Sequence, residues 1–170
     1  MKKHRGLIIA GVVLAALTVF CLWYTRPQGF LSITGSQQNV ESLTASLLLY
    51  SIDYSHGSSR GDTKIWELNE EQSQGHVKQI IIESLVNDSD YRAKLSNLLP
   101  FPKNTTGTSS GDILLRLFSQ DHYTTVILGS HGEMLVRPAG EERMYLYHAD
   151  PELFQGLAEV VQCYGSPYKS

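Results

Sequence analysis

Cysteine is nearly missing: the 170 residues carry two, Cys21 and Cys163. Cys21 falls in an apolar stretch near the N-terminus, so the remainder holds a single thiol and cannot close an internal disulfide. Small domains of oxidising compartments are often stapled, and this one has to rely on its core instead. Positive charge is also scarce once the first 26 residues are set aside. Those hold Lys2, Lys3, Arg5 and Arg26 and no acid, so of 14 basic and 17 acidic residues the rest keeps 10 and 17, a formal charge of −7. That sign argues against a nucleic-acid or anionic-lipid surface in the main domain.

Other signatures are missing too. The chain has no phosphate-binding glycine loop, no nucleophile elbow, no paired-carboxylate signature and no repeat of domain-building length. His56, His76, His122, His131 and His148 never pair at i, i+4 on a helical pattern, and Asp121-His122 and His148-Ala149-Asp150 stand alone. No metal and no cofactor are expected.

What is present is enough for one domain: 42% apolar and 18% charged residues suit a chain that buries a core. Lys2-Lys3-His4-Arg5 precedes residues 7–24, which include no charged side chain. As a helix that stretch is roughly 27 Å long, close to the hydrocarbon thickness of a bilayer. A cleaved signal peptide would exit through small residues, where Cys21-Leu22-Trp23-Tyr24 stands, and Trp23 and Tyr24 suit the headgroup boundary. Cys21 resembles the lipid-modified cysteine of bacterial lipoproteins, although Phe20 stands where that motif has Gly, Ala or Ser. The organisation expected is a cytoplasmic basic head at 1–6, a transmembrane signal-anchor at 7–24, a juxtamembrane tether at 25–41, an extracytoplasmic domain at 42–164 and a tail at 165–170. The basic cluster orients the N-terminus to the cytoplasm.

Residues 43–54 alternate like a strand, 55–61 form a turn-rich loop, and 63–68 return as a second strand. Asn69, with Gln72 three positions on, predicts a helix start, and Val77, Ile80, Ile81, Ser84 and Leu85 form its apolar stripe. Residues 90–99 suggest a second short helix, stopped by Pro100 and Pro102. Four strand-like runs follow, at 113–118, 123–129, 134–137 and 144–148. Their short gaps predict an antiparallel meander. A last helix opens at Asp150-Pro151-Glu152 and buries Leu153, Phe154, Leu157, Val160 and Val161. The fold class expected is α+β: an N-terminal transmembrane helix, then a mainly antiparallel sheet of about six strands packed by two or three helices.

Ser130-His131-Gly132 and, 32 positions after the histidine, Cys163 within Gln162-Cys163-Tyr164-Gly165 raise a catalytic alternative. The stretch from Val126 to Glu133 resembles the histidine motif of the caspase family, and Gln162-Cys163-Tyr164-Gly165 its nucleophile site. That resemblance implies His131 as general base and Cys163 as nucleophile attacking a peptide carbonyl. The alanine before the cysteine is absent, the separation is short of the roughly 50 residues of that family, and Cys163 falls in a helical pattern. The competing reading makes His131 the corner of an antiparallel hairpin, with Gly129 and Gly132 supplying its turn conformations.

Three shorter likenesses lie outside that pair. Arg60-Gly61-Asp62 resembles the integrin-recognition tripeptide, Asn87-Asp88-Ser89 and Asn104-Thr105-Thr106 resemble glycosylation acceptors, and Ser166-Pro167-Tyr168-Lys169 has the spacing of a penicillin-enzyme motif. In overall layout, carried by Trp66 to Gln72 and Tyr123 to Val161, the chain resembles small single-span membrane-anchored extracytoplasmic proteins of Gram-positive bacteria. The leading expectation is a non-enzymatic extracytoplasmic binding or sensing domain with a protein partner or small ligand. The alternatives are the His131/Cys163 hydrolase and a structural subunit of a membrane complex held through residues 7–24.

Overall fold

The computed structural model describes residues 2–34, 40–53, 60–87, 90–98, 110–120 and 122–168, with the side chains of all of these except 2–8, 51–53, 60 and 61. The elements in chain order are α1 (Lys2–Tyr24), β1 (Pro27–Gln28), α2 (Phe30–Thr34), β2 (Ser42–Asp53), β3 (Arg60–Leu68), α3 (His76–Asn87), β4 (Tyr91–Ala93), a 3-10 turn (Leu95–Leu98), β5 (Gly111–Ser119), β6 (His122–Gly129), β7 (Glu133–Arg137), β8 (Tyr145–His148), α4 (Pro151–Tyr164) and β9 (Ser166–Pro167). His56, Pro100, Pro102, Asn104, Asp121 and Lys169 lie outside the described residues.

Side-chain alternation builds one antiparallel sheet in the order β1-β4-β8-β7-β6-β5-β2-β3-β9. Across it, Leu43, Ala45 and Leu47 sit opposite Leu117, Leu115 and Ile113, and these oppose Thr124, Val126 and Leu128. Val136 and Met134 continue the same face towards Tyr145 and Tyr147. Helices cover this face: Phe30 and Ile33 of α2, Val77, Ile81 and Leu85 of α3, and Leu153, Phe154, Leu157 and Val161 of α4 join those strand residues in one core. Each fully buried Leu, Ile or Val contributes about 1.5–3 kcal/mol, which is how the domain holds without a disulfide.

The architecture is α+β, with corrections to the expected details. The sheet has nine strands among the described residues rather than about six. The three additions are two or three residues long and lie towards the edges, too short for alternation to register in a sequence. Pro27 and Pro167 stand in the two outermost, where a missing N–H costs no ladder bond and the sheet is closed against further pairing. The stretch expected to be a tether holds β1 and α2, with Phe30, Ile33 and Thr34 buried.

The second correction concerns α1. Among the described residues no helix is long and apolar enough to cross a membrane. The transmembrane signal-anchor at 7–24 and the single-pass topology with an extracytoplasmic C-terminal domain therefore lose their basis. What the structure does give α1 is a set of uncovered apolar side chains, Leu14, Leu22 and Trp23 among them, with Tyr24 the one of its described side chains that packs against the core.

Local chemistry explains the remaining differences. Asn69 and Gln72 do bond reciprocally, Gln72 N–H to Asn69 Oδ1 at 2.9 Å and Asn69 N–H to Gln72 Oε1 at 3.1 Å. This capping box closes only an isolated turn, because Gly75 then takes a positive φ of 59° and α3 begins at His76. The helix expected at 90–99 is instead β4 and the 3-10 turn. Tyr91 is fully buried, donates its hydroxyl to the Leu85 carbonyl at 2.6 Å and packs on Phe30. Asn97 then extends the ladder with its side chain: Nδ2 donates to the Leu146 carbonyl and Oδ1 accepts from the Leu146 N–H, both at 2.7 Å. Asn97→Ala strands that buried N–H and should cost about 2–3 kcal/mol, read as a lower urea midpoint at unchanged slope.

Candidate functional site

The side chains that alternate with the core form the other face of the sheet, and among the described residues the helix side chains of the core lie on the opposite face. Four rows cross it. Ser42 opposes Phe118, which opposes Tyr123; Thr44 opposes Arg116, then Thr125, then Arg137; Ser46 opposes Leu114, then Ile127, Leu135 and Leu146; Glu133 opposes His148, then Arg92. The third row is apolar and partly closed, with Leu135 and Leu146 buried near the 3-10 turn. The second row is polar, with Thr125 buried between an exposed Arg116 and a half-buried Arg137.

Arg137 is the centre of that row. Its Nη2 donates to Tyr123 Oη at 3.0 Å and to Thr125 Oγ1 at 3.1 Å, and its guanidinium lies 5.2 Å from the Tyr123 ring centroid. Tyr123 in turn packs on Phe118 at 5.7 Å between centroids. Among the described residues every hydrogen-bond partner of this half-buried cation is neutral. Arg116, exposed two strands away, likewise makes no ion pair with a carboxylate among the described residues. Neighbouring strands lie about 4.8 Å apart, so the two arginines flank Thr125 with Cα atoms about 10 Å apart. A hollow of about 220 Å³ opens beside Arg137, lined by His122, Tyr123, Gly140 and Glu141.

Two other hollows are less suited to a ligand. The one of about 300 Å³ is lined by Asp90, Arg92, His148 and Asp150. Its charges already engage one another or the backbone: Arg92 pairs with Asp90 at 3.7 Å, and the Asp150 carboxylate accepts the Glu152 N–H at the start of α4. The third, of about 240 Å³, lies against β3 between Trp66, Pro167 and Tyr168 and offers no paired charges.

The residues nominated for catalysis are not brought together. His131 is exposed in the turn between β6 and β7, and that turn packs on the start of α4, where Ala149 N–H donates to the Gly132 carbonyl at 2.8 Å. Cys163 is exposed near the other end of the same helix. Twelve residues of helix separate Pro151 from Cys163, about 18 Å along the axis. A base and its nucleophile must meet at hydrogen-bond distance, and this separation forbids it. Of the two glycines expected to shape the turn, Gly132 alone has a positive φ, 79°.

The remaining motifs are dispersed. Arg60, Gly61 and Asp62 are backbone of β3 rather than a loop, and Ser166 lies in β9, held to Gln72 by its hydroxyl at 2.9 Å. His76 opens α3, His122 opens β6 and His148 closes β8. No three His, Cys, Asp or Glu side chains among the described residues stand close enough to hold a metal ion. Arg116 and Arg137 belong to no sequence motif, and what marks them is a charged residue inside an apolar strand. The signal was there in Leu114-Leu115-Arg116-Leu117, where alternation turns the arginine away from the core.

Near the same end of the sheet, Tyr145 bonds to Glu141, which together with burial and that carboxylate's charge raises the phenol above its usual range. Tyr147, buried, is pushed up to about 12, first by desolvation and then by the neighbouring acids Tyr24, Tyr145 and Glu141. A raised folded value means stability that is complete below the unfolded phenol's value near 10 and is lost as pH rises through about 12. Within that window the wild type should lose about 1.4 kcal/mol per pH unit from this group. Urea melts of wild type and Tyr147→Phe between pH 9 and 12 should differ by that slope, and parallel curves would refute it.

Comparison with protein-family models, with curated proteins and with solved structures finds no match to this chain.

Proposed function

We propose that this chain is a non-catalytic binding domain, and that the face of its sheet opposite the core helices is the binding surface. The observation that carries the reading is the pair Arg116 and Arg137: two guanidinium groups on one row without a carboxylate partner among the described residues, one exposed and one half-buried and fixed by neutral hydroxyls. Folding alone gains little from such an arrangement, since a partly desolvated cation without a counter-charge is costly. A bound anion removes that cost. The hydrolase alternative has no comparable support, with its base and nucleophile at opposite ends of α4.

A photo-reactive amino acid in place of Thr44, on the arginine row, and another in place of Glu159, exposed on α4, separate the surfaces. Irradiation of cells producing the full chain should give a discrete adduct from position 44 and none from 159. Adducts from both alike, or from 159 only, would refute the assignment of the face.

A further inference from the structure

Resting on that binding reading, we infer that Arg116 and Arg137 clamp a carboxylate whose apolar body lies along Leu114 and Ile127. The stereochemistry of Arg137 leads there. Nη2 commits both its protons to Tyr123 and Thr125, leaving Nε and Nη1 as donors to an outside acceptor. Both two-pronged faces of a guanidinium use Nη2, so Arg137 alone offers single bonds rather than a fork. A second cation has to hold the second oxygen, and Arg116 stands across Thr125 on the same row.

Charge and surroundings select the class. Glu141 lines the hollow beside Arg137, so two cations against one acid leave a net charge of about one, which a monoanion such as a carboxylate neutralises. The next row on the same face is Leu114 and Ile127, both half-buried, which gives an aliphatic or aromatic carboxylate a surface for its body. Tyr123, packed by Phe118 and Arg137, forms the wall at the charged end. A free carboxylic acid and an acidic side chain within an apolar peptide present the same chemistry.

The test uses the full chain labelled with nitrogen-15 and follows the arginine Nε–H resonances on titration with hexanoate, with hexanamide and with acetyl-Glu-Leu-Leu-amide. Hexanoate or the peptide should shift the Arg116 and Arg137 signals, the stronger of the two identifying the source, and hexanamide should bind at least about tenfold more weakly. Arg116→Gln, at an exposed position that folding does not depend on, should weaken binding about tenfold, as should Arg137→Gln. Equal binding of hexanamide, unchanged affinity in Arg116→Gln, or inorganic phosphate outcompeting both carboxylates would overturn the inference. If position 44 still crosslinks a partner while no carboxylate binds, the face remains a binding surface and only the ligand class falls.

Discussion

Gly132→Ala is expected to cost about 3–5 kcal/mol. Two penalties add. At a φ of 79° an L side chain is strained, by about 1–2 kcal/mol. An added Cβ would also clash with the Ala149 carbonyl oxygen and stand 3.3 Å from Pro151 Cδ. Neither neighbour can yield easily, because the Gly132 carbonyl accepts the Ala149 N–H at 2.8 Å and Asp150 and Pro151 open α4. The clash falls where the β6–β7 turn docks on the last helix, so the melting temperature should drop by about 10 °C or more. Gly140→Ala serves as the control. It too has a positive φ, 77°, but open space around it, so its cost should be only the backbone strain.

Removing residues 1–22 is expected to change solution behaviour more than stability. Ile9, Val12, Val13, Leu14, Leu17, Val19, Phe20 and Leu22 are all exposed, and their positions run round the whole of α1. A helix apolar on every side demands cover, and in the isolated chain that demand drives self-association. Yet Tyr24 is the one described side chain of the helix that packs on the core, and it is kept, so the truncated chain should lose no more than about 1 kcal/mol of unfolding free energy. Light scattering should give assemblies for the full chain in detergent-free buffer and a smaller, uniform species for the truncated one. A truncated chain that fails to fold would mean that α1 holds the domain together in a way its contacts do not show.

The central meander was legible because it obeys one rule over many residues. Leu43 to Leu48 and Gly111 to Phe118 alternate between buried and less buried side chains, Tyr123 to Leu128 is rich in β-formers, and the gaps between the meander strands are too short for a crossover. Asp150 and Pro151 announced α4 for the same reason: cap chemistry is local. What escaped depends on partners far away in sequence. Tyr91 and Asn97 suit a short helix taken alone, and become strand and 3-10 turn because Leu85 and Leu146 supply their hydrogen bonds. Asn69 and Gln72 formed the predicted box, but Gly75 ended its turn before a helix could follow. The apolar stretch at the N-terminus was read by length and hydropathy as a membrane span, and the described helix does not meet that criterion.

The candidate site shows the same division. His131 and Cys163 drew attention as residue types that often do chemistry, but their meaning depends on distance, and α4 lies lengthwise between them. Arg116 and Arg137 belong to no motif. Register alone, Arg116 to Thr125 to Arg137, puts them on one row, and register is fixed by pairing that the sequence does not state.

The most direct test compares two double variants in the crosslinking experiment from position 44. Arg116→Glu with Arg137→Glu reverses the charge of the arginine row, whereas His131→Ala with Cys163→Ala removes both nominated catalytic groups from exposed sites. The account predicts that the first abolishes the adduct while the protein stays folded, and that the second leaves its yield unchanged. An adduct that survives charge reversal but vanishes with His131 and Cys163 would contradict it.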